Sequence, residues 1–328
     1  MAVLIIGGAG YIGSHAVEYF KSQGEEVIVV DNLLTGHKDS INVDHFYEID
    51  IREKDRLDKV FKNHDIDGVI HFAASSLVCE SMSNPALYFN NNVYGMICLL
   101  DVMNENKVKN IVFSSSAATY GEPVSKIIKE TDPTFPKSPY GESKLMMEKI
   151  MKWYDKAYSI KYVSLRYFNA AGASKDSSIG EAHTTETHLI PLILQVPLGQ
   201  REKIVVFGND YDTRDGSCIR DYIHVLDLAS AHFKALKYLR DSNPSDIFNL
   251  GTGDGYTVLE IIKAAEKVVG EKIKTEISKR RAGDPAILVA SNEKAKEILK
   301  WKPIHSDIEE ILQDAWNYHV KNPHGYYH

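Results

Sequence analysis

The chain has 328 residues, 44% of them apolar and 25% charged, ample for a buried core in one large domain or two unequal ones. A formal charge of −7, with basic residues scattered along the chain, gives no general attraction for nucleic acid and leaves only a local basic pocket to hold a phosphate. Cys79, Cys98 and Cys218 stand far apart with no Cys-x-x-Cys pair, which argues against a thiolate zinc site and a disulfide framework; with an apolar start too short for a signal peptide and no 18-residue apolar run, a cytoplasmic protein without a membrane span is expected.

Taken in chain order, Val3–Ile6 reads as a buried strand, followed by a glycine cluster and a helix from Ile12 to about Ser22. Strands are expected at Glu26–Val30, ending at Asp31, and at His45–Glu48, Gly68–Phe72, Asn110–Ser114 and Ile160–Leu165. Helices are expected between them at Arg52–Asn63, Asn91–Asn106 and Ser143–Ala157. Apolar strands alternating with helices predict an α/β fold: a Rossmann-like, doubly wound parallel sheet covered on both faces. Beyond about residue 178 the alternation weakens; helices are expected at Leu228–Leu239, Thr257–Val269, Glu293–Leu299 and Ser306–Val320. The division expected is a nucleotide-binding domain over 1–178, joined by part of 222–245, and a smaller mixed α/β substrate-binding domain over 179–328. The final Gly325-Tyr326-Tyr327-His328 reads as a surface end.

The run Gly7-Gly8-Ala9-Gly10-Tyr11-Ile12-Gly13 sits between the first strand and the first helix. That placement suits a dinucleotide: a tight turn, close approach of backbone to pyrophosphate, and a helix N-terminus aimed at the phosphates. Asp31, closing the second strand, can accept from the adenine ribose hydroxyls and would repel a 2′-phosphate, which favours NAD over NADP. No Gly-Lys-Ser/Thr ending supports an ATP-binding loop. Asp50 follows the third strand, where it can meet the adenine amine or cap the next helix.

Tyr140 and Lys144 are four apart near a helix start and share one face. A phenol is a poor base at neutral pH, and a neighbouring ammonium stabilises its phenolate, so the pair can remove a hydroxyl proton. Taken alone, such a pair is more often part of a solvated helix face. Phe113-Ser114-Ser115-Ser116 ends the fifth strand, where sheets of this type carry ligands; Ser116 reads equally as a substrate donor or as a turn cap.

With these stand Asp31-Asn32-Leu33, His71-Phe72-Ala73-Ala74, Asn90-Asn91-Asn92-Val93, Ser138-Pro139-Tyr140-Gly141-Glu142-Ser143-Lys144 and Leu165-Arg166-Tyr167-Phe168-Asn169. Phe207-Gly208-Asn209-Asp210-Tyr211, Arg220-Asp221-Tyr222-Ile223-His224-Val225 and Arg280-Arg281-Ala282-Gly283-Asp284-Pro285 follow. In this succession, across essentially the whole chain, the sequence resembles the UDP-galactose 4-epimerase family of the extended short-chain dehydrogenase/reductase superfamily.

The resemblance implies a retained NAD and reversible epimerisation at C4′ of UDP-galactose and UDP-glucose. It implies that Tyr140 is the base, Lys144 its partner and a ribose contact, and Ser116 the substrate hydrogen bond. Gly7, Gly10, Tyr11, Ile12, Gly13, Asp31, Asn32, Asp50, Ile51, Phe72, Ala73, Ala74, Asn92, Ser114 and Phe168 match cofactor-lining positions. Asn169, His188, Leu189, Val205, Phe207, Arg220, Tyr222, Arg281, Asp284 and Leu288 match the nucleotide-sugar site, with Phe207 facing uracil and the two arginines the diphosphate. It also implies a homodimer through the helices at Asn91–Asn106 and Ser143–Ala157.

The chain departs from the family pattern in places. Ser76 stands where some relatives carry a cofactor-binding lysine, and His188 where relatives carry an asparagine. Leu288 aligns with a position that gates N-acetylated sugars; leucine is intermediate in size, which leaves UDP-N-acetyl sugars open. Ala117-Ala118 replaces the acidic pair a dehydratase needs, and a reductase, a decarboxylase or a non-catalytic NAD sensor is the remaining alternative. Glu181, His183, Glu186 and His188 match no zinc motif and read as a polar loop near the substrate, so no metal is expected.

Overall fold

The computed structural model describes residues 1–281 and 284–326. Ala282 and Gly283, within the Arg280–Pro285 motif, and Tyr327 and His328 of the terminal segment lie outside the described residues. The strands run β1 (Ala2–Ile6), β2 (Glu26–Asp31), β3 (His45–Glu48), β4 (Ile66–His71), β5 (Asn110–Ser114) and β6 (Lys161–Arg166). Short strands follow: β7 (Asn169–Ala171), β8 (Ile204–Phe207), β9 (Ile219–Arg220), β10 (Tyr222–His224), β11 (Asp246–Asn249), β12 (Tyr256–Thr257), β13 (Thr275–Ser278) and β14 (Ile287–Leu288). The helices are α1 (Tyr11–Ser22), α2 (Lys54–Asn63), α3 (Val78–Ser83), α4 (Pro85–Tyr88), α5 (Gly95–Glu105) and α6 (Pro139–Tyr158). In the second half they are α7 (Leu189–Leu194), α8 (Val225–Arg240), α9 (Val258–Val269), α10 (Glu293–Ile298) and α11 (Ile308–Lys321).

Seven strands make one parallel sheet in the order β11-β6-β5-β4-β1-β2-β3. Its strands are apolar because both faces are covered. On one face α2, α5 and α6 enclose Leu4, Ile28, Leu57, Leu99, Phe113 and Met147. On the other, α1 and α8 enclose Val3, Phe20, Val29, Leu228, Leu236 and Trp301. A third core joins α7, α9 and α11 through Ile190, Ile193, Ile261, Ile311 and Leu312. The strand order reverses direction at β1 and β4, and such a switch opens a crevice beyond the strand ends. Here the glycine turn after β1 meets Phe72 and Ala73 after β4, whose N–H groups both donate to Ile6 O at 2.8 and 3.2 Å.

The short elements α3, α4, α7, β7–β10 and β12–β14 go beyond the sequence reading, and three details in and around the main sheet differ from it. The helix expected from Ser143 begins at Pro139, because the Ser138 hydroxyl accepts from Gly141 N at 3.2 Å and proline fits the first helical turn. The helix expected over Asn91–Asn106 is a π-type turn, Phe89–Tyr94, running into α5, since three successive asparagines are poor helix formers. Asp246–Asn249, not expected as a strand, extends the main sheet beside β6.

Of the four buried histidines, His15, His71, His224 and His232, all but His224 leave a ring nitrogen without a partner among the described residues. Neither ring nitrogen of His71 has a partner among the described residues, and one nitrogen each of His15 and His232 also lacks one. Burial lowers His71 to about 3 and His15 and His232 to about 4. The unfolded chain binds these protons near pH 6.5, so above that pH the neutral rings cost nothing. As pH falls from about 6.5 toward 4, unfolding takes up protons that the fold refuses, and stability drops. Urea titrations across that window should show the decline, with a shallower slope for His71→Leu; an identical slope would remove His71 from the account.

Candidate active site

The glycine turn is held by close backbone contact. Gly7 has φ +78°, and a Cβ there would lie 2.5 Å from Ala73 N; a Cβ on Gly13 would lie 2.1 Å from Gly7 O. Gly13→Ala must therefore prise the turn from α1, at a cost of about 1–3 kcal/mol, and should release the dinucleotide. The check is nucleotide absorbance in the supernatant of denatured, desalted protein. Helix α1 has no side chain capping its start at Gly10, which leaves its first-turn donors for an anion.

The expected cofactor residues cluster around this turn. Asp31 accepts from Ala9 N at 2.9 Å and Leu33 N at 2.8 Å; burial raises its pKa, and these donors oppose the rise. Tyr11 OH donates to Gly172 O at 2.7 Å. Asn32 donates to Asp50, whose two oxygens also take a forked pair from Arg52 at 2.7 Å each, holding the carboxyl well below its usual range. Asp50 also accepts from Arg52 N, so it closes the turn before α2 but does not cap the helix, which Glu53 precedes. Ile51 lies against the Gly95 backbone. Phe72 packs on His232 at 4.6 Å, with Ala73 and Ala74 half-buried beside it. Asn92 spends its amide on Ser75 N and O and on Ser143 Oγ, fastening the loop after β4 to α6.

The chemical residues meet at the end of β5. Lys144 is buried, donates to Ser114 O at 2.9 Å, and lies 4.9 Å from the Phe113 ring centre and 5.9 Å from that of Tyr140. Burial lowers Lys144 to about 7, partly offset by Glu148. Burial raises the Tyr140 phenol, and a hydrogen bond with Ser116 opposes it. The Ser116 hydroxyl also accepts from Ala118 N at 3.1 Å, so the cap and the contact with Tyr140 both hold. Ser114 Oγ bonds the Tyr167 hydroxyl.

Sequence reasoning missed Glu148, one turn beyond Lys144. Its Oε1 accepts from Ser115 Oγ at 2.6 Å and Arg166 Nε at 2.9 Å. The four-residue spacing Tyr140, Lys144, Glu148 on one helix face was the available signal.

The expected sugar-site residues lie in the second half. Asn169 on β7 donates to Asp221 O at 2.9 Å. Arg220 pairs with Asp284 and donates to Ile219 O, and the Arg281 guanidinium lies 3.9 Å from the Phe207 ring centre. Phe168 and Leu288 pack on the small cluster of Ala117, Tyr120 and Ile128. Val205 is half-buried on β8, and Leu189 opens α7 against the third core. Tyr222 is a core side chain of that same cluster, 4% exposed. Glu181, His183, Glu186 and His188 come together on one loop, with His188 Nδ1 against Glu181. Tyr326, expected on a surface end, packs on His37 at 4.9 Å and accepts from Gly180 N at 3.2 Å, which ties the end of the described chain to that loop.

A parallel nucleotide-binding sheet with a Tyr-x-x-x-Lys pair, its lysine buried, at the end of β5 defines a dinucleotide-dependent enzyme acting on a hydroxyl-bearing carbon. The model of the NAD dependent epimerase/dehydratase family matches residues 3–251. A UDP-glucose 4-epimerase of Streptococcus mutans serotype c is 57% identical over 329 residues, 99% of each chain. A crystal structure of a UDP-glucose 4-epimerase superposes with TM-score 0.98 at 53% identity over the whole of both chains. The Brucella ovis UDP-glucose 4-epimerase, solved in complex with NAD, gives 0.95 at 42% identity, covering 97% of this chain and 98% of that one. The chain belongs to the UDP-glucose 4-epimerase family, within the NAD-dependent epimerases and dehydratases.

Proposed function

We propose that the protein interconverts UDP-glucose and UDP-galactose by reversible epimerisation at C4′, with NAD as its cofactor. The observation that carries this reading is the group of half-buried Tyr140 and Ser116 with buried Lys144 at the end of β5. The residues present fit NAD: the turn Gly7–Gly13 and the uncapped start of α1 would hold the pyrophosphate, and Asp31 the adenine ribose. When bound, NAD supplies a reversible acceptor for the hydride of C4′.

In this reading Tyr140 takes the proton from the 4′-hydroxyl and returns it to the 4′-oxygen of the epimer, and Ser116 holds that oxygen. Lys144 lies close enough to favour the phenolate and would also hold the nicotinamide ribose. Asn92 positions α6, since its amide is spent on the protein. Arg220, Arg281 and Asn169 anchor the diphosphate, and Phe207 faces the uracil once Arg281 turns to phosphate. The anchored end stays fixed while the hexose presents either face, so remote binding energy positions the reacting carbon.

The two-part division of the chain belongs to the same proposal, with the sheet bearing cofactor and residues beyond 178 bearing sugar. So does a cytoplasmic homodimer. Among the described residues no helix is long and apolar enough to cross a membrane, and Tyr94 and Trp153 are exposed beside α5 and on α6, where a second copy would cover them. Light scattering tests the dimer. Leu288 leaves room for UDP-N-acetylglucosamine; Leu288→Tyr should lower turnover of that sugar about 10-fold or more while sparing UDP-glucose, read from paired kcat/KM values.

The test of the whole reading is incubation of purified protein with UDP-glucose without added NAD, with products separated by chromatography. Formation of UDP-galactose is expected. Net NADH accumulation or carbon dioxide release would instead indicate a dehydrogenase or decarboxylase.

A further inference from the structure

Glu181, His183, Glu186 and His188 lie on one loop ahead of α7, with a ligand-type atom from each within 4.8 Å of all the others. We propose that these four side chains form a closed site for one divalent transition ion, zinc in the first instance. The site is independent of the sugar chemistry.

The geometry carries the argument. Zinc bonds to nitrogen and oxygen are about 2.0–2.1 Å, so the edges of a zinc tetrahedron are about 3.3–3.4 Å. His183 Nδ1 lies 3.3 Å from Glu181 Oε1 and 3.3 Å from Glu186 Oε2, and His188 Nδ1 lies 3.5 Å from Glu186 Oε1. Of these imidazole–carboxylate contacts the His188–Glu181 one is shorter, closed as a direct hydrogen bond, and Glu186 meets the two imidazoles through different oxygens. Both imidazoles present the same nitrogen, Nδ1, to the same two carboxylates.

Charge and support agree with the geometry. The Glu181 and Glu186 side chains are 4% and 9% exposed, and two buried carboxylates need positive charge between them. A divalent ion with two neutral imidazoles makes the site electrically neutral. Glu186 is held from outside: Thr187 N and His188 N both donate to its Oε1 at 2.7 Å, as the outer partners of metal ligands do. Two imidazoles with two carboxylates suit zinc among the available metals. Four protein ligands leave no open position, so the ion would be structural. It would staple the loop 181–188 beside Tyr11, whose ring centre lies 6.4 Å from that of His183.

The test uses the full chain freed of any histidine tag and dialysed against a chelator. It is titrated with zinc against a chromophoric competitor, and separately with Co²⁺. One tightly bound zinc per chain and the intense visible bands of four-coordinate cobalt are expected. His183→Ala and Glu186→Gln should each weaken zinc binding beyond the roughly 10–100-fold that loss of an outer partner produces. Sub-stoichiometric zinc in the parent protein, a pale six-coordinate cobalt spectrum, or undiminished binding by a folded His183→Ala would each overturn the proposal.

Discussion

Tyr140→Phe should lower turnover of UDP-glucose by about 100- to 10,000-fold, the contribution of a positioned acid–base group, with fold and NAD content unchanged. The substitution removes one oxygen from a half-buried ring and leaves Lys144 on Ser114 O. Burial disfavours both charged forms at this site, raising the phenol and lowering the ammonium. The pair thus ionises only as a pair, and the phenolate needs nearby positive charge to exist near neutral pH. Coupled chromatographic assays on protein with verified NAD content supply the measurement. Turnover within a few-fold of the parent would assign the proton to another group.

The second large effect is on stability. Glu148→Ala should cost about 3–5 kcal/mol of unfolding free energy, the usual consequence of leaving a buried charge alone. Arg166 and Glu148 are each only 4% exposed and meet through a forked contact, with Arg166 also stacked 4.7 Å from the centre of the Tyr120 ring. Without Glu148 the guanidinium has no carboxylate to replace the water it lost. Urea unfolding reads the cost. The double variant Glu148→Leu/Arg166→Met should lose far less than the sum of its single changes, because it removes both charges together. A single-variant loss below about 1 kcal/mol would mean that water reaches Arg166. Ser115 also rests on Glu148 at 2.6 Å, so turnover should fall as the strand end carrying Ser114 and Ser116 loosens.

The sequence by itself determined the layers of this protein. Apolar runs such as Val3–Ile6 and Asn110–Ser114 are legible because strands buried on both faces must be hydrophobic throughout. The glycine turn and Asp31 are legible because their chemistry is local, within one strand–turn–helix unit. Tyr140 and Lys144 are legible as one helix face because their spacing is a helical period. Tertiary structure alone decided which distant groups share a site. Asp246–Asn249 joins the main sheet only because β6 offers it an edge, a pairing that a four-residue segment does not encode. Glu148 becomes the partner of Arg166 and Ser115 only when α6 lies on β5 and β6. The Glu181–His188 loop brings four ligand atoms together although its spacing matches no helix or strand motif, because loop conformation is set by what it packs against. Local periodicity is written in the chain; the meeting of side chains far apart in sequence depends on how the layers stack.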